Sequence, residues 1–152
     1  PVIGASKKKA IHGVIHDFEP GWTTYVEKPG YRIEADIALS QAKAKDYEAV
    51  MLIGGRAPEH LRNHAKLVKF VQEFHKDGKW IFSVCHGIQI LAAAGLLKGR
   101  KVTCYENVRL EVAQAGGKWI NQQSVVDGNL VTAQTWESHA DFYRDIFRCL
   151  EG

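Results

Sequence analysis

Apolar positions along the last two thirds of the chain form runs and stripes that alternate. Ala49, Val50, Met51, Leu52 and Ile53 make a continuous apolar run, preceded by Asp46-Tyr47-Glu48 and followed by Gly54-Gly55. A short run bounded this way predicts a strand buried on both faces. Residues 58–75 then place Leu61, Ala65, Leu67, Val68, Val71 and Phe74 at helical spacing, and Asp77-Gly78 ends the helix. A second buried strand is predicted at Trp80-Ile81-Phe82-Ser83-Val84, then a helix over 88–97 that stops near Gly99. A third strand is expected at 101–105 and a helix at 108–115, ended by Gly116-Gly117. After a strand at Trp119-Ile120, residues 124–126 and 130–132 flank an Asp127-Gly128 turn and predict a hairpin. Phe142, Ile146, Phe147 and Leu150 mark one face of a last helix at 138–150, with Ser138 as its expected N-cap. The first 32 residues, rich in Gly, Pro, His and aromatics, predict irregular structure with one short strand. Residues 33–37 suit a further strand and 38–45 a short helix or turn.

Strand–helix alternation predicts an α/β fold with a mostly parallel sheet. Ligands in such sheets bind beyond the carboxyl ends of the strands. Two strand ends carry unusual residues, Gly54-Gly55-Arg56 and Cys85-His86-Gly87, and both belong at the same edge.

The chain has 152 residues, a length that suits one domain. Its 45% hydrophobic and 24% charged residues are ordinary for a globular protein, which excludes disorder, collagen and coiled coil as global readings. No apolar run approaches the ~20 residues of a membrane helix, and no signal peptide is visible. The formal charge of +3 is too small and scattered to argue for nucleic acid. Lys7-Lys8-Lys9 reads as a solvated turn. Cys85, Cys104 and Cys149 are odd in number and widely spaced, with no CxxC pair, which fits a reduced, cytoplasmic compartment.

Cys85 falls between a buried strand and a helix, the position of the nucleophile elbow of hydrolases. Unsatisfied N–H groups and the dipole at the helix start favour thiolate there. Gly87 permits the tight backbone and close approach of a substrate. Cys104, within an expected strand, and Cys149, within an amphipathic helix, read as structural cysteines. His86 is a candidate base, orienter or hydrogen-bonded neighbour of Cys85. Its backbone N–H and those of Gly54-Gly55 are candidate oxyanion donors. Glu59 in a first helical turn has a bland explanation in the helix dipole. His60 and His64 lie four apart, but no third metal ligand is placed with them, so no metal is expected. His16-Asp17-Phe18 with Trp22 and Tyr25 form a polar and aromatic cluster, in a loop that either covers a site or packs on itself. His139, after Trp136, either approaches the strand-end crevice or caps the last helix.

Two motifs about thirty residues apart, Ile53-Gly54-Gly55-Arg56-Ala57-Pro58-Glu59 and Val84-Cys85-His86-Gly87-Ile88-Gln89, are specific together. With Gly99-Arg100-Lys101-Val102-Thr103 and Val126-Asp127-Gly128-Asn129-Leu130-Val131-Thr132, the chain resembles the ThiJ/PfpI superfamily over residues 46–150. That group holds the intracellular protease I family, protein deglycases and cofactor-independent glyoxalases III. Residues 10–31, with the Glu27-Lys28-Pro29-Gly30 turn, resemble its plant and bacterial glyoxalase-like branch. Ile53 and Ile88 stand where members often have Pro.

The resemblance implies a flavodoxin-like three-layer α/β sandwich, similar to class I glutamine amidotransferases, and a homo-oligomer of two or more copies. It implies Cys85 as nucleophile, His86 beside it, and N–H groups near Gly55 and His86 as oxyanion donors. Gly54, Arg56, Gly87, His16 and His139 are further candidates for oxyanion or substrate binding. In protease-like members the residue matching Glu59 reaches the Cys–His pair of a neighbouring subunit. The family opens with a strand and an acidic residue that contacts the cysteine. This chain starts after both, so a single domain incomplete at its N-terminus is expected. The favoured activity is a cofactor-free reaction on small reactive carbonyls, such as methylglyoxal to a hydroxy acid, or deglycation. A cysteine peptidase using Cys85, His86 and Glu59 is one alternative, and a redox-sensing or chaperone-like protein with little turnover is the other. Neither nucleic acid nor membrane is expected as a partner.

Overall fold

The computed structural model describes residues 1–17 and 19–152, without the side chain of Asp17. The chain separates into two units, Pro1–Lys43 and Ala44–Gly152. The first holds strands β1 (Ile3–Gly4), β2 (Ala10–Asp17), β3 (Val26–Glu34) and β4 (Ile37–Ala38). β1 pairs with β4 in parallel, and β2 pairs with β3 antiparallel along nearly their whole length. The expectation of irregular structure with one short strand is therefore corrected. Gly13, Pro29 and Gly30 read as breakers, but they sit where the register shifts between His12 and Val14. Strands tolerate Pro and Gly at such bulges. A Cβ on Gly30 would stand 3.1 Å from the Gly13 carbonyl carbon, so a side chain there would push the two strands apart by a few tenths of an ångström. The strand expected at 33–37 divides between the end of β3 and β4, and the expected helix or turn is a turn at 39–41 followed by a 3-10 turn at Ala44–Asp46.

The second unit centres on a four-stranded sheet. β5 (Ala49–Leu52), β6 (Trp80–Val84), β9 (Ser124–Asp127) and β10 (Leu130–Ala133) lie in the order β5-β6-β10-β9. The first three in that order run parallel, and β9 joins β10 antiparallel through the expected hairpin. A short parallel pair, β7 (Lys101–Val102) and β8 (Lys118–Trp119), forms a separate ladder whose β7 lies against β9 and β10. The helices are α1 (Ala57–Leu61), α2 (Ala65–Lys76), α3 (Ile88–Ala93), α4 (Arg109–Gln114) and α5 (His139–Glu151). Phe142 and Ile146 of α5 pack with Phe82, Val84, Val131 and Ala133 on one face of the sheet. Strand side chains alternate in direction. α2, with buried Phe70, Val71 and Phe74, packs on β5 and β6. This is the expected α/β sandwich with a mostly parallel sheet. No helix among the described residues is long and apolar enough to cross a membrane.

Departures from the expected boundaries have local causes. The single helix expected at 58–75 breaks because His64 adopts an extended conformation and its Nδ1 accepts the Leu67 N–H, capping α2. α3 ends early because Gly95 takes φ +72° and the Leu96 N–H turns back to the Leu91 carbonyl, closing the helix. The strand expected at 101–105 stops at Val102, since the Thr103 N–H donates to the Thr132 hydroxyl rather than to a ladder. Ser138 does not cap α5 by a side-chain bond. Thr135 accepts the Glu137 N–H, and the Ser138 hydroxyl accepts the Thr135 N–H, one turn earlier.

Candidate active site

Parallel pairing of β5 and β6, with Leu52 opposite Ser83, brings the two glycine-bearing strand ends side by side. Beyond β6, Cys85–Gly87 form a 3-10 turn that leads into α3. Cys85 has φ +60°, a left-handed conformation unusual for a residue with a side chain. Such strain of about 1–3 kcal/mol persists where surrounding packing enforces it, and it concentrates at functional sites. Two glycines make the enforcement possible. A Cβ on Gly54 would fall 2.6 Å from the Cys85 Cβ, and one on Gly87 would fall 2.4 Å from the Leu52 carbonyl oxygen. The elbow therefore fits against β5 only because both side chains are missing.

The Cys85 sulfur lies 3.3 Å from His86 Nδ1. The backbone N–H groups of His86 and Gly55 also donate to it. Two N–H donors converging beside a thiol can hold negative charge on sulfur before attack, or on an oxygen that forms next to it. Cys85 and His86 are 7% and 6% exposed. Burial pushes the Cys85 thiol above its ordinary value, and the two N–H bonds only partly offset that. The expectation of a thiolate-favouring environment is corrected. α3 has 6 residues, so its dipole is weak, and desolvation of the charged sulfur wins. Ionisation of Cys85 thus needs a proton acceptor, and His86 Nδ1 stands at hydrogen-bond distance.

The other candidates separate clearly. Arg56 Nε and Glu59 Oε1 form an exposed ion pair at 3.8 Å, at the start of α1. His64 is occupied as a helix cap. His139 is exposed in the first turn of α5, with its ring edge-on to Tyr143 at 5.6 Å. His16 belongs to the first unit, where it stacks on Tyr25 at 4.2 Å and meets Glu27 at 3.4 Å. Phe18 and the side chain of Asp17 lie outside the described residues. Cys104 is fully buried, and its thiol is pushed up to about 12, first by burial and then by the charges of Cys85 and Glu111.

Two contributors carried no periodic signal. The Tyr105 ring lies tilted 5.3 Å from the His86 ring, and its phenol oxygen accepts a 2.9 Å bond from the Asn107 amide. Burial, with lesser contributions from Cys85 and Glu106, holds that phenol above its usual value. The second is buried Gln89 on α3, whose Nε2 donates to Glu111 Oε1. Its place one turn after the elbow was the available clue.

Comparison with known proteins follows this geometry. The profile of the DJ-1/PfpI family matches residues 12–148. Protein DJ-1 homolog D of Arabidopsis thaliana is 42% identical over 140 residues, 90% of this chain and 36% of the plant protein. The chain thus spans little more than a third of that relative. A deglycase of Pyrococcus horikoshii is 38% identical over 137 residues, 90% of this chain and 80% of its own. A two-domain protein of Anabaena variabilis with DJ-1/ThiJ/PfpI-like and ferritin-like domains superposes with a TM-score of 0.77 at 34% identity. That match covers 80% of this chain and 35% of the other. With its elbow cysteine, adjoining histidine and glycine-rich neighbouring strand end, the chain belongs to the DJ-1/PfpI family.

Proposed function

We propose that the protein converts small reactive carbonyls by covalent catalysis at Cys85, without a cofactor, with methylglyoxal to a hydroxy acid as the model reaction. Deglycation of early carbonyl adducts would begin with the same attack. The observation that carries the reading is the Cys85 sulfur on its strained elbow, within reach of His86 Nδ1 and of two backbone N–H groups. The deglycase name of the Pyrococcus horikoshii relative supports the substrate class.

The sulfur adds to the aldehyde carbon, forming a C–S bond as its proton passes to His86. The former carbonyl oxygen develops negative charge against the Gly55 and His86 N–H groups, and the imidazolium returns its proton to give a hemithioacetal. His86 next removes the C–H proton of that carbon to give an enediol-like species. It then delivers the proton to the neighbouring carbon, while the hydroxyl proton of the first carbon passes to the oxygen of the second, leaving a thioester with a hydroxyl beside it. Water hydrolyses the thioester, releasing the hydroxy acid and restoring the thiol. One carbon is oxidised and its neighbour reduced, so the balance needs one water and no external electron acceptor.

The test is methylglyoxal turnover by the wild type and Cys85→Ser, with the product identified as lactate. Turnover is expected to vanish in the variant, and a variant that retains it overturns the reading. Hydrolysis of a fluorogenic peptide without methylglyoxal turnover would replace it with a peptidase.

A further inference from the structure

A single carboxylate ties three helices together near the elbow. Glu111 on α4 accepts from Arg62 Nη1 at 2.8 Å through Oε2, and from Gln89 Nε2 at 2.9 Å through Oε1. Arg62 terminates α1, the helix that follows Gly55-Arg56. Gln89 lies on α3, three residues after His86 and four after Cys85, one helical turn along the same face. The bracket therefore joins the two segments whose backbone N–H groups converge on the Cys85 sulfur. Gln89 is 4% exposed, and its buried Oε1 has no hydrogen-bond partner among the described residues. A buried amide left half-satisfied is a cost to the fold.

The Arg62–Glu111 pair is open to solvent through a groove of about 440 Å³ lined by Arg62, Ala92, Glu111, Gln114 and Ala115. Ion pairs this exposed add little to stability. Their use is sought in geometry.

We propose that the Arg62–Glu111–Gln89 bracket is a positioning device that sets the separation of the Gly55 and His86 N–H donors around Cys85. The proposal rests on Cys85 as the nucleophile of the preceding reading, but it is testable without any substrate. Loss of donor geometry destabilises the thiolate and slows alkylation. Loss of the Glu111 negative charge alone has the opposite sign, because it favours an ionised sulfur. The two effects are thereby distinguished.

The experiment measures the iodoacetamide alkylation rate of Cys85 against pH, read by peptide mass, in Glu111→Ala, Glu111→Gln and Arg62→Ala. Glu111→Ala and Arg62→Ala are expected to slow alkylation at pH 7 about tenfold, since sub-ångström misplacement of reacting groups has effects of this order. The midpoint of the pH profile moves upward with them. Glu111→Gln, which removes the charge and keeps the bracket, is expected to alkylate at the wild-type rate or faster. Its carbonyl accepts from Arg62, and its amide donates to the Gln89 Oε1 once that side chain turns over. Unchanged or faster alkylation in Glu111→Ala and Arg62→Ala overturns the proposal, as does a Glu111→Gln variant as slow as Glu111→Ala. Arg62→Ala, half-exposed at a helix end, serves if Glu111→Ala fails to fold. With methylglyoxal, kcat is expected to fall while KM holds. The expected alkylation pattern in a protein that turns over no methylglyoxal would sustain the bracket and refute the carbonyl reading instead.

Discussion

Adding one methyl group at Gly54 probes whether the elbow depends on the missing side chain beside it. Gly54 has no positive φ, so Gly54→Ala introduces no backbone strain of its own. The new Cβ would lie 2.6 Å from the Cys85 Cβ, 3.1 Å from the Val84 carbonyl oxygen and 3.3 Å from the Cys85 sulfur. Ordinary contact begins at 3.4 Å, so the Cys85 Cβ and the new methyl must separate by about 0.8 Å. None of these neighbours is the far end of a flexible side chain. Overpacking of this kind costs about 1–3 kcal/mol. For a chain of this size the thermal midpoint then falls by between about 2 and 12 °C. The effect on chemistry is larger, because a misplacement near 1 Å costs up to ~100-fold in rate.

The assay pairs thermal unfolding with methylglyoxal turnover for Gly54→Ala, Cys85→Gly and the double variant. Cys85→Gly removes the opposing Cβ and also relieves φ +60°, a conformation glycine adopts freely. In that background Gly54→Ala is expected to cost at least about 1 kcal/mol less than in the wild type, the size typical of contacting residues. Additive stabilities, or a Gly54→Ala enzyme with wild-type midpoint and turnover, would refute the argument that the glycine makes room for the nucleophile.

Two further outcomes concern titratable groups, one at the far end of the sheet and one near the elbow. Asp127 accepts the Lys101 N–H and pairs with Arg100, and these contacts hold its carboxyl below the usual value. Its contribution is present above the ordinary carboxylate pKa of about 3.9 and is lost as pH falls through the lower folded value. Asp127→Asn is expected to lose about 2 kcal/mol at pH 7 and to show a shallower decline of stability under acid, read by urea unfolding. Cys104, pushed up to about 12 by burial and by the nearby Cys85 and Glu111 charges, should resist alkylation in the native protein at pH 8. The unfolded chain loses that proton first, so stability falls as pH rises above about 8.5, and Cys104→Ala should lessen the fall in urea titrations from pH 8 to 10.

Continuous apolar runs were the readable part of the sheet. Trp80–Val84 forms β6 with the expected bounds, and Ala49–Leu52 forms β5 within one residue of them. Because those two strands pair in parallel, the Gly54-Gly55 and Cys85-His86 corners were legible as neighbours before any coordinates. The β2–β3 ribbon was not legible. Its bulge consumes Gly13, Pro29 and Gly30, the residues that otherwise signal a turn, and only cross-strand pairing tells the two uses apart. Arg62, Glu111 and Gln89 were hidden for another reason. They are separated by 22 to 49 positions, and neither helical nor strand periodicity reports on contacts at that distance. Competition between terms defeated the expectation for Cys85. The donors at the elbow were visible in sequence, while the burial that outweighs them depends on α5 and β10 closing over it.

That outcome bears on how Cys85 would act as the proposed nucleophile. A cysteine held as a permanent thiolate would carry its charge in a site where both it and His86 are nearly excluded from water. Here burial pushes the Cys85 thiol up, which disfavours storing charge on the sulfur before substrate arrives. In the proposed reaction, attack would pass the proton to His86 Nδ1, 3.3 Å from the sulfur, as the C–S bond forms, and the negative charge would fall on the substrate oxygen. The Gly55 and His86 N–H groups would then stabilise that charge more in the transition state than in the resting enzyme, the condition for an interaction to accelerate a reaction. If the proposed bracket holds, strain at Cys85, empty space at Gly54 and Gly87, and the Arg62–Glu111–Gln89 contacts would act on one quantity: the placement of two N–H donors around a buried sulfur.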